Sequence, residues 1–149
     1  NPEVVEEGQY GWRTRFANVG MAARLGENTE LLTQFMTGET VMGHQMPVEW
    51  MADVGFTSAY VLVSHRMDAN TVAGRLDWFE VDDRTFEAID DNNEEGWAAT
   101  LAYQRQLGER LSVALEGLHI NSDKPARADQ ALNPRQRDTQ LQMAVRWDF

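Results

Sequence analysis

The 149-residue chain contains no cysteine, which rules out disulfides, thiolate metal sites and thiol nucleophiles and leaves cytosol and cell envelope equally open. It also lacks basic charge. Lys and Arg number 13 against 24 Asp and Glu, a formal charge of −11, and a field of that sign repels phosphate backbones and anionic surfaces. Nucleic acid is therefore not an expected partner. The longest apolar run, from Ala59 to Val63, falls far short of the roughly 20 residues of a membrane-spanning helix. The opening "NPEVVEEG" has no Met, basic segment or apolar segment, so a signal peptide is expected to have been removed or to lie upstream. The three histidines, His44, His65 and His119, are far apart without an HxxxH pair, which argues against zinc. Ser64 and His65 are adjacent, and neighbouring strand residues point to opposite faces, so they make no catalytic dyad. Neither an enzyme nor a bound cofactor is expected.

What is present is alternation. Leu141, Met143, Val145, Trp147 and Phe149 fall on one face of a C-terminal strand, and Gln140, Gln142, Ala144, Arg146 and Asp148 on the other. The same period of two recurs upstream. Trp97, Ala99, Leu101 and Tyr103 alternate with Ala98, Thr100, Ala102 and Gln104; Leu111, Val113 and Leu115 alternate with Ser112, Ala114 and Glu116; Val72, Leu76 and Trp78 oppose Arg75 and Asp77. Ala59, Val61 and Val63 alternate less cleanly with Tyr60 and Leu62, and the stretches Trp12 to Leu25 and Thr29 to Val41 complete about seven strands, with no convincing helix.

The connections alternate too. Gly26-Glu27-Asn28, Asp68-Ala69-Asn70 and Gly108-Glu109-Arg110 read as tight turns. Between them lie polar stretches expected to be long loops, about Gly43 to Asp53, Asp82 to Gly96 and Asn121 to Asp138. The expected fold is an all-β, antiparallel, up-and-down sheet, with residues 1–149 forming a single domain.

Alternation alone does not say which face meets water. Two features favour an oily exterior. Charges of both signs, Arg75 with Asp77 and Arg146 with Asp148, lie opposite the apolar residues, and the aromatics Trp12, Trp78, Trp97, Trp147 and Phe149 cluster near strand ends as in membrane-interface girdles.

The closing strand resembles the C-terminal strand of Gram-negative outer-membrane β-barrels, which alternates outward apolar residues and ends on an aromatic. Leu141, Met143, Val145, Trp147 and Phe149 match that signature. The resemblance implies a transmembrane β-barrel in the bacterial outer membrane, porin-like and similar in texture to phosphate-selective porins. In that family the barrel-assembly machinery reads the terminal strand, so these five residues would be the assembly signal. The expected surroundings are outer-membrane lipid and lipopolysaccharide. Porins are commonly homotrimers, which this sequence does not itself reveal.

With Phe149 at the periplasmic rim, every short turn falls in the periplasm and every long loop outside, the asymmetry expected of such barrels. Seven strands then put Asn1 outside, whereas single-chain barrels have an even number. The expectation is a C-terminal fragment of a larger barrel, roughly 14 to 18 strands by family resemblance.

A porin-like reading assigns the lumen to Arg75, Asp77, Gln104, Glu116, Gln142, Arg146 and Asp148, where opposed charges would make a transverse field that selects solutes. Diffusion of small hydrophilic solutes is the expected function. The alternative is a soluble, lipocalin-like β-cup whose Leu, Val and Trp faces line an apolar ligand site. The oxygen-rich loop residues Asp90, Asp91, Glu94 and Glu95 offer a weak surface calcium candidate. They lack the spaced Gly and final Glu of an EF-hand loop, and a solvated loop is the simpler account.

Overall fold

A computed structural model describes residues 10–44, 49–85 and 91–149. The chain forms β1 (Tyr10–Arg24), β2 (Thr29–His44), β3 (Glu49–Met67), β4 (Asn70–Asp83), β5 (Glu94–Gln106), β6 (Leu111–Asp123) and β7 (Arg135–Trp147), with a short 3-10 turn at Pro125–Gln130. They make one antiparallel sheet in the order β1-β2-β3-β4-β5-β6-β7. Each strand pairs with the one before it, so the fold is a pure meander.

Turn chemistry holds the tight ends. Gly26 has φ 82° and Asp68 has φ 51°, in the left-handed region that Gly adopts freely and Asp tolerates. The turn at 68–69 is closed by the pairing of Met67 with Asn70, and that at 107–110 by the Leu107 N–H donating to Leu111 O at 2.8 Å.

At the other end the strands run further than their sequence suggests. β2 runs to His44 and β3 begins at Glu49, so most of the first expected long loop, Gly43 to Asp53, is strand instead. Val41 pairs with Asp53 and Met42 with Ala52, because a polar or acidic residue at a sheet end still satisfies its backbone groups best in the ladder. The third loop likewise contracts to 124–134, since Asp123 pairs with Arg135 and Asn121 with Arg137.

The register sorts the side chains into two faces. One carries Leu141, Leu101, Val63 and Leu31 in one cross-strand row, and Met143, Leu115, Tyr103 and Val72 in the next. The other carries Gln142, Glu116, Ala102 and Ala73 in a corresponding row. The apolar face is the open one: Leu76 is 59% exposed, Leu101 64% and Trp97 44%. The opposite face is sheltered, with Ala98, Ser112 and Ser122 buried and most of its side chains in β4 to β6 partly covered. Such a difference is that between the outside and the inside of a curving sheet.

The sheet is open. β1 and β7 do not pair with each other, so these seven strands do not close on themselves, and each outer edge leaves a row of unpaired backbone groups. Among the described residues only Val41 and Ala98 are buried apolar side chains. A single layer has nothing to bury its apolar face against, and two layers are the usual minimum for a core.

Candidate functional site

The face opposite the apolar one gathers all seven residues expected to line a lumen; Arg75, Asp77 and Glu116 are partly covered there, and Gln104, Gln142, Arg146 and Asp148 are exposed. Gln142 stands opposite Glu116 and Arg146 opposite Ser112, while Gln104 pairs with Ala114 and with Thr71. On β4, Arg75 and Asp77 are two residues apart, hence on one face. Arg75 Nε donates to Asp77 Oδ1 at 2.8 Å, and its guanidinium carbon lies 4.1 Å from the centre of the Tyr60 ring. Tyr60 is the cross-strand partner of Asp77, so anion and aromatic hold the cation from two sides, a cation-π contact added to a charge-assisted hydrogen bond. Nearer the tail, Arg146 Nε donates to Asp148 Oδ1 at 3.0 Å and Gln142 Nε2 to Gln140 Oε1 at 3.3 Å. The two ion pairs run along single strands, whereas Arg24 and Glu30 on the same face pair across β1 and β2 at 3.8 Å.

This face is not uniformly polar, a feature that the alternation had obscured. Toward the loop end Phe16, Gly38, Phe56 and Val81 form one cross-strand row, and Phe79 faces Gly96. Trp12 also belongs here, opposite Met42, with its indole Nε1 donating to Thr14 Oγ1 at 3.0 Å. Its expected place among the girdle tryptophans is corrected by this register. Trp78, Trp97 and Trp147 do lie on the apolar face, where Trp78 and Trp97 are direct partners.

The assignment of Leu141, Met143, Val145 and Trp147 to one face agrees with the register, in which they meet Gly117, Leu115, Val113 and Leu111 of β6. Phe149 lies just past the strand, fully exposed. Two histidines share this apolar face. His65 Nδ1 lies 2.8 Å from Thr29 Oγ1 and His119 Nδ1 2.9 Å from Thr139 Oγ1, each a cross-strand pair. A hydroxyl partner lets a polar ring sit in an apolar band. Ser64 and His65 point to opposite faces, as adjacent strand residues must.

The loop end is tied together by a polar network. Arg127 Nη2 donates to Glu94 Oε1 at 3.1 Å, Arg127 Nη1 to Pro134 O at 2.9 Å, and both terminal nitrogens approach Ser122 Oγ at 3.3 Å. Lys124 Nζ donates to Asn92 Oδ1 at 3.1 Å. The connection between β6 and β7 is thereby folded against the one between β4 and β5. Asp83 accepts from the Asn92 and Thr85 backbone N–H groups at 2.9 and 3.0 Å, and Arg84 bridges Asp53 at 2.7 Å and Glu39 at 3.6 Å. Of the calcium candidates, Asp90 lies outside the described residues. Glu94 and Glu95 project to opposite faces, Glu94 is engaged by Arg127, and Asp91 accepts from the Asn93 N–H at 2.8 Å. Among the described residues no three acidic or histidine groups are placed to hold a metal ion.

No protein-family model, curated protein or solved structure matches the chain.

Proposed function

We propose that this chain is part of an outer-membrane β-barrel, porin-like, that passes small hydrophilic solutes by diffusion. The observation that carries the reading is the division between the faces. Large apolar side chains, from Leu76 and Leu101 to Leu141, Met143 and Val145, occupy the open face, where water would penalise them and lipid would not. Arg75, Asp77, Gln104, Glu116, Gln142 and Arg146 occupy the opposite face, and the open-face charges Glu80, Glu95, Asp123, Arg135 and Arg137 lie toward the loop end. Strands of 13 to 19 residues exceed the roughly 9 to 11 a bilayer crossing needs, and no helix is long and apolar enough to cross a membrane. Further strands, joining at β1 and β7, would complete the wall and remove both edges. The oppositely charged pairs Arg75–Asp77 and Arg146–Asp148 would then set the field in the lumen.

A second reading, a soluble β-cup with its Leu, Val and Trp face turned inward around an apolar ligand, draws on the apolar trough of about 520 Å³ flanked by Val63, Leu76 and Leu101 on that face. In the sheet itself that face is the open one, which is why this reading ranks second. The test is accessibility of spin labels placed in turn at 145 and 146 in lipid vesicles. The membrane reading expects oxygen to relax the label at 145 and a water-soluble relaxant the label at 146. A label at 145 shielded from both would overturn it in favour of the cup.

A further inference from the structure

On the sheltered face, where β1 to β3 cross the middle of the sheet, the register lays out a patch without charge. Its central row is Gly20, Gln34 and Tyr60, consecutive cross-strand partners. Asn18, Met36 and Ser58 stand on the row toward the loop end, and Ala22, Leu32 and Leu62 on the row toward the turns. None of these residues is charged at neutral pH. The charges that border the patch cancel in pairs: Arg75 donates to Asp77 on β4, opposite Leu62 and Tyr60, and Arg24 stands 3.8 Å from Glu30 one row further toward the turns. Gly20 leaves a hollow, because an added β-carbon there would meet only the Thr33 carbonyl oxygen, at 3.4 Å. The hollow has a volume of about 420 Å³ and is bordered by Asn18, Gly20, Ala22, Leu32, Gln34 and Tyr60, a size in the range of small-molecule sites.

Three polar groups border the hollow, and none is spent within the described chain. The Asn18 amide, the Gln34 amide and the Tyr60 hydroxyl make no hydrogen bond among the described residues, although each amide both donates and accepts and a phenol does the same. Ala22 and Leu32 supply apolar wall. The Tyr60 ring is held by the Arg75 guanidinium, 4.1 Å from its centre, so this platform is in place before a ligand arrives. The chemistry selects against ions. A charged solute would give up hydration here and find no free opposite charge in return, a large cost. A hydroxyl group exchanges a water contact for an amide or phenol contact at little cost.

We propose that this hollow binds an uncharged sugar. A sugar ring sits over Gly20 with its carbon–hydrogen face toward Leu32 and the Tyr60 ring, and its hydroxyls bond to the Asn18 and Gln34 amides and the Tyr60 hydroxyl. Gly20 admits the ring, since a large side chain at that position would occupy the hollow. Met36, beside Asn18, and Phe79, opposite Ser58, continue the apolar wall toward the loop end, where the second ring of a disaccharide follows it. The proposal rests on the membrane reading above, in which this face lines the lumen, and adds to it a solute class and a saturable site.

The test measures binding in neutral detergent, by titration calorimetry and saturation-transfer NMR, and passage by the swelling of protein-loaded liposomes in sugar solution. The probes are maltose and maltose 1-phosphate, which differ by one charged group. Maltose is expected to bind about tenfold more tightly than its phosphate. Asn18→Ala should weaken maltose about fivefold, the loss of one neutral hydrogen bond, and Gly20→Leu, which fills the hollow, should abolish detectable binding. Asn18 is exposed and bonds to no described residue, so Asn18→Ala leaves folding intact. Absence of maltose binding, equal binding of the phosphate, or an unchanged affinity in both variants would overturn the site, while liposomes that still swell would leave the membrane reading standing. Maltose binding that Gly20→Leu abolishes, in a protein that opens no passage in liposomes, would keep the site and overturn the pore. Neither binding nor swelling would overturn both.

Discussion

The ring of Phe56 lies over Gly38, its cross-strand partner on β2, so closely that a β-carbon at 38 would stand 2.7 Å from Phe56 Cζ and 2.7 Å from Phe16 Cβ. Gly96 is covered in the same way by Phe79, whose Cζ would stand 2.6 Å from an added β-carbon. On this face an aromatic ring fills the space that each glycine leaves and fixes the register between adjacent strands. The two pairs sit on neighbouring rows, which makes them a partly covered packing cluster in a sheet nearly without a core.

Gly38→Ala is therefore expected to destabilise the fold by about 1 to 3 kcal/mol, the usual cost of overpacking a tight site. The carbonyl of Arg15 also crowds that position, and backbone cannot swing aside as a side-chain tip can. Gly74→Ala, where nothing lies within 4 Å, should leave stability nearly unchanged. Urea unfolding of the two variants side by side checks the contrast.

Asp77→Asn removes the anion that holds Arg75 and leaves its positive charge on the sheltered face. If that face lines a pore, the reversal potential in planar bilayers should move toward anions. A change of about fivefold in permeability ratio is expected, corresponding to roughly 1 kcal/mol of local potential. Identical selectivity in wild type and variant would remove this pair from any role in conduction.

Arg127 joins three elements, so Arg127→Gln should free the 124–134 connection. Loss of a charged hydrogen-bonding partner costs about 1.5 to 3 kcal/mol, and it should appear locally. The Ala131 and Leu132 N–H groups, which donate to Ala128 O and Arg127 O, should exchange with solvent faster, while amides in the middle of β5 and β6 keep their protection. Hydrogen exchange followed by mass spectrometry distinguishes this from a global loss.

Phe149→Ala should leave the isolated protein able to fold in detergent, because the ring is fully exposed and packs on little. In cells, an assembly signal read from the terminal strand predicts a severalfold lower folded fraction in the outer membrane. Equal recovery of variant and wild type would count against that role for the residue.

Much of this architecture was legible in the order of residues. A period of two is a geometric property of extended chain, so the faces of β4 to β7 follow from Leu141, Met143 and Val145 or from Arg75 and Asp77 without knowledge of their neighbours. The three tight turns were marked by Gly26, Asp68 and Gly108 because those positions need small or turn-forming residues. The loop ends were less legible. Residues 49–53 and 121–123 look like loop in composition, yet they pair, because ladder hydrogen bonds depend on the partner strand's reach and not on side-chain polarity. Trp12 was misassigned for a related reason: an aromatic near a strand end looks the same from either face, and only its register opposite Met42 puts it on the face of Phe16 and Phe56.

The sequence by itself determined the strand count, the antiparallel meander and the separation of apolar from charged residues, since each depends on local spacing. Only the tertiary structure decided which face is open and which sheltered, because curvature is a property of neighbouring strands together. It alone brought Phe56 over Gly38, Tyr60 beneath Arg75, and Trp78, Trp97 and Arg137 onto one strip. Those residues lie from 15 to 59 positions apart, and register across the sheet, which no single strand encodes, is what aligns them.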